Sequence, residues 1–270
     1  MKPDFLCIGG QKAGTTWLYQ KLRQHPEIWL PPVKEVHYFD SLRLPLRKRL
    51  QASLPHRYRK DKLRKFWFQP KYWKFLTVPL WDSWYLSLFQ EARGLTSGDI
   101  TPGYSILRGE EVGRVHRLLP AAKVIVLLRE PVSRAWSQIR HDVKNFNVQM
   151  DSLERMRPYL NRPSFRERSH YPQILESWER VYPSEQMAHF FFDDLAQRPD
   201  WFLARVCEFL GVDPSFRFSG LHEKIHQGLA LDCPVWLHEE LRAILQEDRV
   251  WLANRFGGHA SQWLQVPTSL

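Results

Sequence analysis

Phe5-Leu6-Cys7-Ile8-Gly9-Gly10-Gln11-Lys12-Ala13-Gly14-Thr15-Thr16-Trp17, near the start of the 270-residue chain, is the stretch on which the fold turns. The apolar run Phe5 to Ile8, stopped by Gly9-Gly10, reads as a buried strand. From Thr15 the apolar residues Trp17, Leu18 and Leu22 recur at helical spacing until Pro26 stops the helix. Strand, glycine-containing loop and helix in that order make a phosphate-binding βα unit. Backbone N–H groups at the positive end of the helix can wrap an anion, Lys12 adds a point charge, and Thr15 and Thr16 add hydroxyls. The loop differs from G-x-x-x-x-G-K-[ST], because Lys12 precedes the second glycine, Gly14.

Outward from this unit, Lys123-Val124-Ile125-Val126-Leu127-Leu128 is a β-branched run of the kind buried on both faces of a parallel sheet. A helix over 132–144 follows Pro131. A strand over 187–192 is expected between helices over 172–182 and 199–210, the latter ending at Gly211, and a last long helix runs from Pro234 to about Phe256. Residues 27–39 read as extended, and period-two alternation would put Glu35 and His37 on one face. Strands alternating with helices predict an α/β fold, a P-loop-like central parallel β-sheet flanked by helices on both faces. The chain is expected to be a single domain over 1–270. A basic, aromatic-rich insertion over about 41–95, including Arg47, Lys48, Arg59, Trp67, Tyr72 and Trp73, would lie on the acceptor side.

A net charge of +10 favours anionic partners without choosing among nucleotides, sulfated acceptors, nucleic acid or acidic membranes. Cys7, Cys207 and Cys233 form no metal or C-x-x-C spacing and read as small core residues in a reducing compartment. No apolar run is long enough for a transmembrane helix. The first strand begins almost at Met1, leaving no room for a signal peptide, so a cytoplasmic location is expected.

A magnesium-dependent kinase or NTPase wants a carboxylate at the end of a central strand. Arg129 stands there instead, suited to a second phosphate. Lys12 and Arg129 together describe a nucleotide with two separated anionic groups and no required metal, as in 3′-phosphoadenosine-5′-phosphosulfate (PAPS). A nucleotide kinase or P-loop NTPase is the alternative. A non-enzymatic RNA- or membrane-binding module would leave Lys12 and Arg129 unexplained, so nucleic acid is not expected as a partner.

Three blocks resemble the PAPS-dependent sulfotransferases, on the side of the heparan-sulfate O-sulfotransferases and bacterial carbohydrate-type enzymes. Gln11-Lys12-Ala13-Gly14-Thr15-Thr16-Trp17 is similar to their 5′-phosphosulfate loop. Arg129-Glu130-Pro131-Val132-Ser133-Arg134-Ala135-Trp136-Ser137 is similar to their 3′-phosphate block, and Lys34-Glu35-Val36-His37-Tyr38-Phe39-Asp40 to the segment with their catalytic glutamate. The resemblance implies that Lys12 stabilises the departing phosphate, that Thr15, Thr16 and the loop amides hold the 5′-phosphate, and that Arg129 and Ser137 anchor the 3′-phosphate. Trp17 would stack on adenine. Lys224, His226 and Gly228 would close over the 3′-phosphate. Glu35 is the first choice of general base and His37 the second, with Asp40 and His141 on the acceptor side. Ile100 and Thr16 replace a lysine and an arginine common in the heparan-sulfate enzymes, which argues against a heparan-type polymer. The resemblance implies an acceptor hydroxyl on a carbohydrate, lipid-linked or small-metabolite molecule, with an anionic or carrier-linked acceptor among the expectations. Acceptor identity and oligomeric state stay open.

Overall fold

The computed structural model describes residues 1–43, 81–146, 148–223 and 231–265. Lys224, His226 and Gly228, expected over the 3′-phosphate, and residues 44–80 of the expected insertion lie outside the described residues. In chain order the elements are β1 (Phe5–Gly9), α1 (Thr15–Leu22), β2 (Ile28–Trp29), α2 (Tyr38–Ser41), α3 (Asp82–Ser87), β3 (Thr96–Ile100), α4 (Glu110–Leu118), β4 (Lys123–Leu128) and α5 (Pro131–Phe146). They continue with α6 (Leu153–Leu160), α7 (Pro163–Arg166), α8 (Tyr171–Glu179), β5 (Met187–Phe191), α9 (Phe192–Gln197) and α10 (Pro199–Leu210). The last three are α11 (Val235–Ile244), α12 (Gln246–Phe256) and α13 (Gly258–Trp263).

The strands form one five-stranded parallel sheet in the order β2-β3-β1-β4-β5. Its centre obeys the period-two rule. Leu6, Ile8, Val124, Val126 and Leu128 face one side, packed with Tyr38, Tyr85, Tyr104, Ile174 and Trp178. Phe5, Cys7, Ile125 and Leu127 face the other, packed with Trp17, Leu18, Phe202 and Val206. A one-residue slip would exchange these two sets between differently shaped cores, so the register is strongly specified. A third cluster joins α5 to α6, α7 and α11 through Trp136, Ile139, Tyr159, Phe165 and Leu241. Burial pushes the thiols of Cys7 and Cys207 up to about 12, in keeping with their place in the core.

The structure departs from the sequence reading at three points. Strand β3 was not foreseen, because Thr96-Ser97-Gly98-Asp99-Ile100 carries polar residues inside the sheet. A Cβ on Gly98 would stand 2.2 Å from the Phe5 ring, so only glycine lets that ring lie across β3. Residues 27–39 are strand only at Ile28–Trp29; thereafter Glu35 and His37 take positive φ, 63° and 55°, and break the extended run. The last helix is two, divided at Leu245. Residues 82–92, the end of the anticipated insertion, contribute Tyr85, Leu88, Phe89 and Ala92 to the core, all fully buried. Among the described residues no helix is long and apolar enough to cross a membrane.

Candidate active site

The loop after β1 is shaped by three left-handed residues, Gly9, Lys12 and Gly14 (φ 121°, 66° and 92°). Gly14 precedes α1, and a Cβ there would meet Leu195 Cδ1 at 2.8 Å, so the loop packs too closely on α9 for any side chain. The Gly10 N–H donates to the Leu127 carbonyl at 2.6 Å, tying the loop to β4. No side chain caps α1 and its first turn holds no acid, which leaves its N–H groups and positive end for an outside anion. Thr15 is buried and Thr16 half-buried beside them. Lys12 is lowered to about 8, chiefly by burial. The carboxylates of Asp142 and Glu35 pull it upward, and the guanidiniums of Arg129 and Arg134 push it down. A half-desolvated ammonium among unlike charges is a good partner for an incoming anion.

Arg129 closes this loop from the end of β4. Its Nη1 donates to the Lys12 carbonyl at 2.7 Å, its guanidinium lies 4.5 Å from the Phe192 ring centroid, and its own N–H donates to the Tyr171 hydroxyl at 3.2 Å. Burial holds its pKa below the usual arginine range. Ser137 is carried two turns into α5, half-buried. Arg134, between them in sequence, is fully buried; it donates to Gln138 Oε1 (2.9 Å) and to Ser169 Oγ. Burial takes it down to about 10.

The segment carrying Glu35 supplies the titratable cluster. His37 Nδ1 lies 2.5 Å from Asp40 Oδ2 and its Nε2 3.2 Å from Glu35 Oε2, and Lys34 pairs with Glu35 Oε1. Burial alone would raise Glu35, but the hydrogen bond to His37 and the Lys34 charge outweigh it and hold the carboxyl at about 2. An imidazole with a carboxylate at each nitrogen can donate to both only as imidazolium, so His37 orients Glu35 rather than offering a free lone pair. The two side chains do meet, as alternation predicted, but through a turn of two left-handed residues and not a strand face.

Support for the turn comes from β3 and the segment after it. A Cβ on Gly103 would meet Asp40 Oδ2 at 2.5 Å and His37 Nδ1 at 3.1 Å, so only glycine fits behind the cluster. The Tyr38 N–H donates to the Tyr104 hydroxyl (3.0 Å), which donates to buried Asp99 (2.8 Å). Thr101 (2.6 Å) and Tyr85 (3.1 Å) donate to Asp99 as well. Burial still keeps the Asp99 carboxyl above its ordinary range. No local pattern in the sequence points to Gly103, Asp99, Tyr104 or Asp142; of the stretch 99–104 only Ile100 draws notice in the sequence.

Trp17 is in the core: 7% exposed, edge-on to Phe202, its Nε1 donating to the Leu221 carbonyl at 3.1 Å. Ala13 is fully buried and Gln11 half-buried. His141 is on the exposed side of α5, with Nδ1 3.0 Å from Asp142 Oδ1. Lys21, buried in α1, donates to the carbonyls of Ser219 (2.7 Å) and Gly220 (2.6 Å), fixing the segment that leads to Lys224. Among the described residues no group of three or more His, Cys, Asp or Glu could hold a metal ion.

A profile of the sulfotransferase family matches residues 3–216. Carbohydrate sulfotransferase 15 of Mus musculus is 25% identical over 257 residues, a match covering 78% of this chain and 44% of that protein. Heparan sulfate glucosamine 3-O-sulfotransferase 6 of Homo sapiens is 26% identical over 232 residues, covering 78% and 52%. The chain thus spans about half the length of the curated relatives it matches. Among solved structures, a sulfotransferase from Alicyclobacillus acidocaldarius is 26% identical with a TM-score of 0.70, covering 98% of this chain and 99% of that one. The sulfotransferase domain from the curacin biosynthetic pathway shares the fold at 17% identity and a TM-score of 0.59.

Proposed function

This chain belongs to the sulfotransferase family, and we propose that it moves a sulfuryl group from PAPS to a hydroxyl acceptor and releases 3′,5′-ADP. The observation that carries the reading is the 2.7 Å bond from the Arg129 guanidinium to the Lys12 carbonyl. It joins the two proposed anion-binding blocks and supports a reading in which a cation faces each end of a nucleotide phosphorylated at 3′ and 5′.

In this reading the 5′-phosphate rests on the α1 amides and the hydroxyls of Thr15 and Thr16, and the 3′-phosphate on Arg129 and Ser137. Lys12 faces the bridging oxygen between phosphorus and sulfur. The acceptor oxygen attacks sulfur in line, the bond from sulfur to the bridging oxygen breaks, and the leaving phosphate keeps the electron pair. Catalysis is then positioning, charge stabilisation and removal of one proton. Glu35 takes that proton, and His37, braced by Asp40, holds the carboxylate toward the acceptor. A group at about 2 is a weak base in the resting protein. Lys34 and His37 cause that weakness, and an anionic donor drawing on the same positive charge would raise its proton affinity.

The names of the relatives make a sugar hydroxyl the first acceptor to try, followed by lipid-linked and small-metabolite hydroxyls. The donor reading is tested by thermal unfolding with 3′,5′-ADP and with magnesium-ATP, then by transfer of labelled sulfuryl from PAPS to a panel of hydroxyl compounds. Stabilisation by 3′,5′-ADP alone is expected. Stabilisation by magnesium-ATP alone would sink it.

A further inference from the structure

The turn between β4 and α5 holds one carboxylate among several cations. Glu130 stands next to Arg129, and its neighbour one turn on is the fully buried Arg134. Glu130 Oε2 accepts the Ser133 N–H at 2.5 Å, capping the first turn of α5, the helix that carries Ser137. Its Oε1 lies 3.2 Å from Arg249 Nε in an ion pair, with side chains 10% and 2% exposed. Arg249 comes from α12, beyond the residues matched by the family profile. It is itself fixed: Nη1 donates to Gln246 Oε1 at 3.0 Å and Nη2 to the Trp263 carbonyl of α13.

We propose that Arg249 is a positioning residue for the donor site, holding the Glu130 carboxylate so that the Arg129 guanidinium stays available to the 3′-phosphate. The proposal rests on the donor reading above. A buried carboxylate left without a cation is strongly disfavoured and takes the nearest one. Without Arg249 the arginines nearest Glu130 in sequence are Arg129, on which its charge already acts, and Arg134, one turn into α5 and already held by Gln138 and Ser169. Pairing with Arg129 would set Glu130 in competition with the nucleotide, and turning the carboxylate would also release the Ser133 N–H. The C-terminal helices therefore act on nucleotide binding without touching the nucleotide.

The test compares 3′,5′-ADP with 5′-AMP, which lacks the 3′-phosphate, by calorimetry on the full chain. Arg249→Met should weaken 3′,5′-ADP by about tenfold or more, the range seen when one partner of a buried charge pair is lost, and leave 5′-AMP unchanged. The acceptor KM should not move. In Glu130→Gln/Arg249→Met the competing charge is gone and the amide oxygen can still cap Ser133, so the preference for 3′,5′-ADP should return. Equal weakening of both nucleotides marks general loosening and overturns the proposal, as does a folded double variant that has lost the preference. Should Arg249→Met fail to fold, the double variant decides alone. A wild-type protein that does not prefer 3′,5′-ADP would instead overturn the donor reading, and this inference with it.

Discussion

On the proposed donor side, Lys12 and Arg129 stand at the ends of neighbouring strands, β1 and β4, and are joined by one side-chain-to-carbonyl bond. On the proposed acceptor side, Glu35 and His37 are left-handed residues of one turn, Asp40 follows in α2, and the back of the turn is filled by Gly103 and the Asp99–Tyr104 network. The donor half is assembled from backbone N–H groups that any strand–loop–helix unit exposes, so its binding capacity follows from local chain order. The acceptor half is assembled from side chains that brace one another across the fold, so each depends on several remote neighbours. Donor binding should therefore survive damage to the acceptor half, while turnover should suffer from damage to either.

The largest test of that contrast is Lys12→Ala. Transfer should fall by roughly 10²–10³ in kcat, as for loss of one charge-stabilising group. Binding of 3′,5′-ADP should weaken less than in Arg129→Ala; equal and negligible losses in both variants would break the donor half of the comparison. Next comes Glu35→Gln, expected to lower kcat by about 10²–10⁴, the contribution of a general base, with calorimetric 3′,5′-ADP affinity unchanged. Wild-type turnover there would move the base to His37.

Gly103→Ala asks whether the remote brace matters by itself. Its Cβ must displace Asp40 or His37 by several tenths of an ångström, and a misplacement approaching 1 Å can cost about 10²-fold in rate. A kcat loss of about tenfold or more with the donor KM unchanged is expected; a matching rise in donor KM would show that the two halves are coupled. The smallest effect is in pH. Free Lys12 at about 8 loses its charge as pH rises through that value. Above it kcat/KM for the donor should fall about tenfold per unit for a single proton. Below it the ammonium is intact, and Glu35, at about 2, stays ionised to strongly acid pH. A flat alkaline limb would remove Lys12 from the donor site.

Legibility in the sequence divides along the same line. Strands β1 and β4 announce themselves as apolar runs, and the helices from Thr15, Pro131 and Pro199 by spacing, proline and a terminal Gly211. Strand β3 does not, because its Asp99 is buried only by virtue of hydroxyls from Tyr85, Thr101 and Tyr104. The proximity of Glu35 and His37 was anticipated for a strand that does not form. Trp17 looked available because it follows the loop, yet one turn of helix points its ring into the core against Phe202.

What the sequence by itself determined is the parallel α/β frame and the position of the two proposed anion-binding corners, Lys12 after β1 and Arg129 after β4. Both follow from short-range rules: hydrophobic runs choose strands, glycines choose the loop, and a helix start exposes N–H groups wherever it falls. The tertiary structure alone decided which side chains share the reaction space. Asp142 acts on the charge of Lys12, Asp99 and Gly103 brace the Glu35–His37 turn from behind, and Arg249 reaches Glu130 from the far end of the chain. Those contacts depend on the desolvation and close packing of residues distant in sequence, a property that no local pattern records.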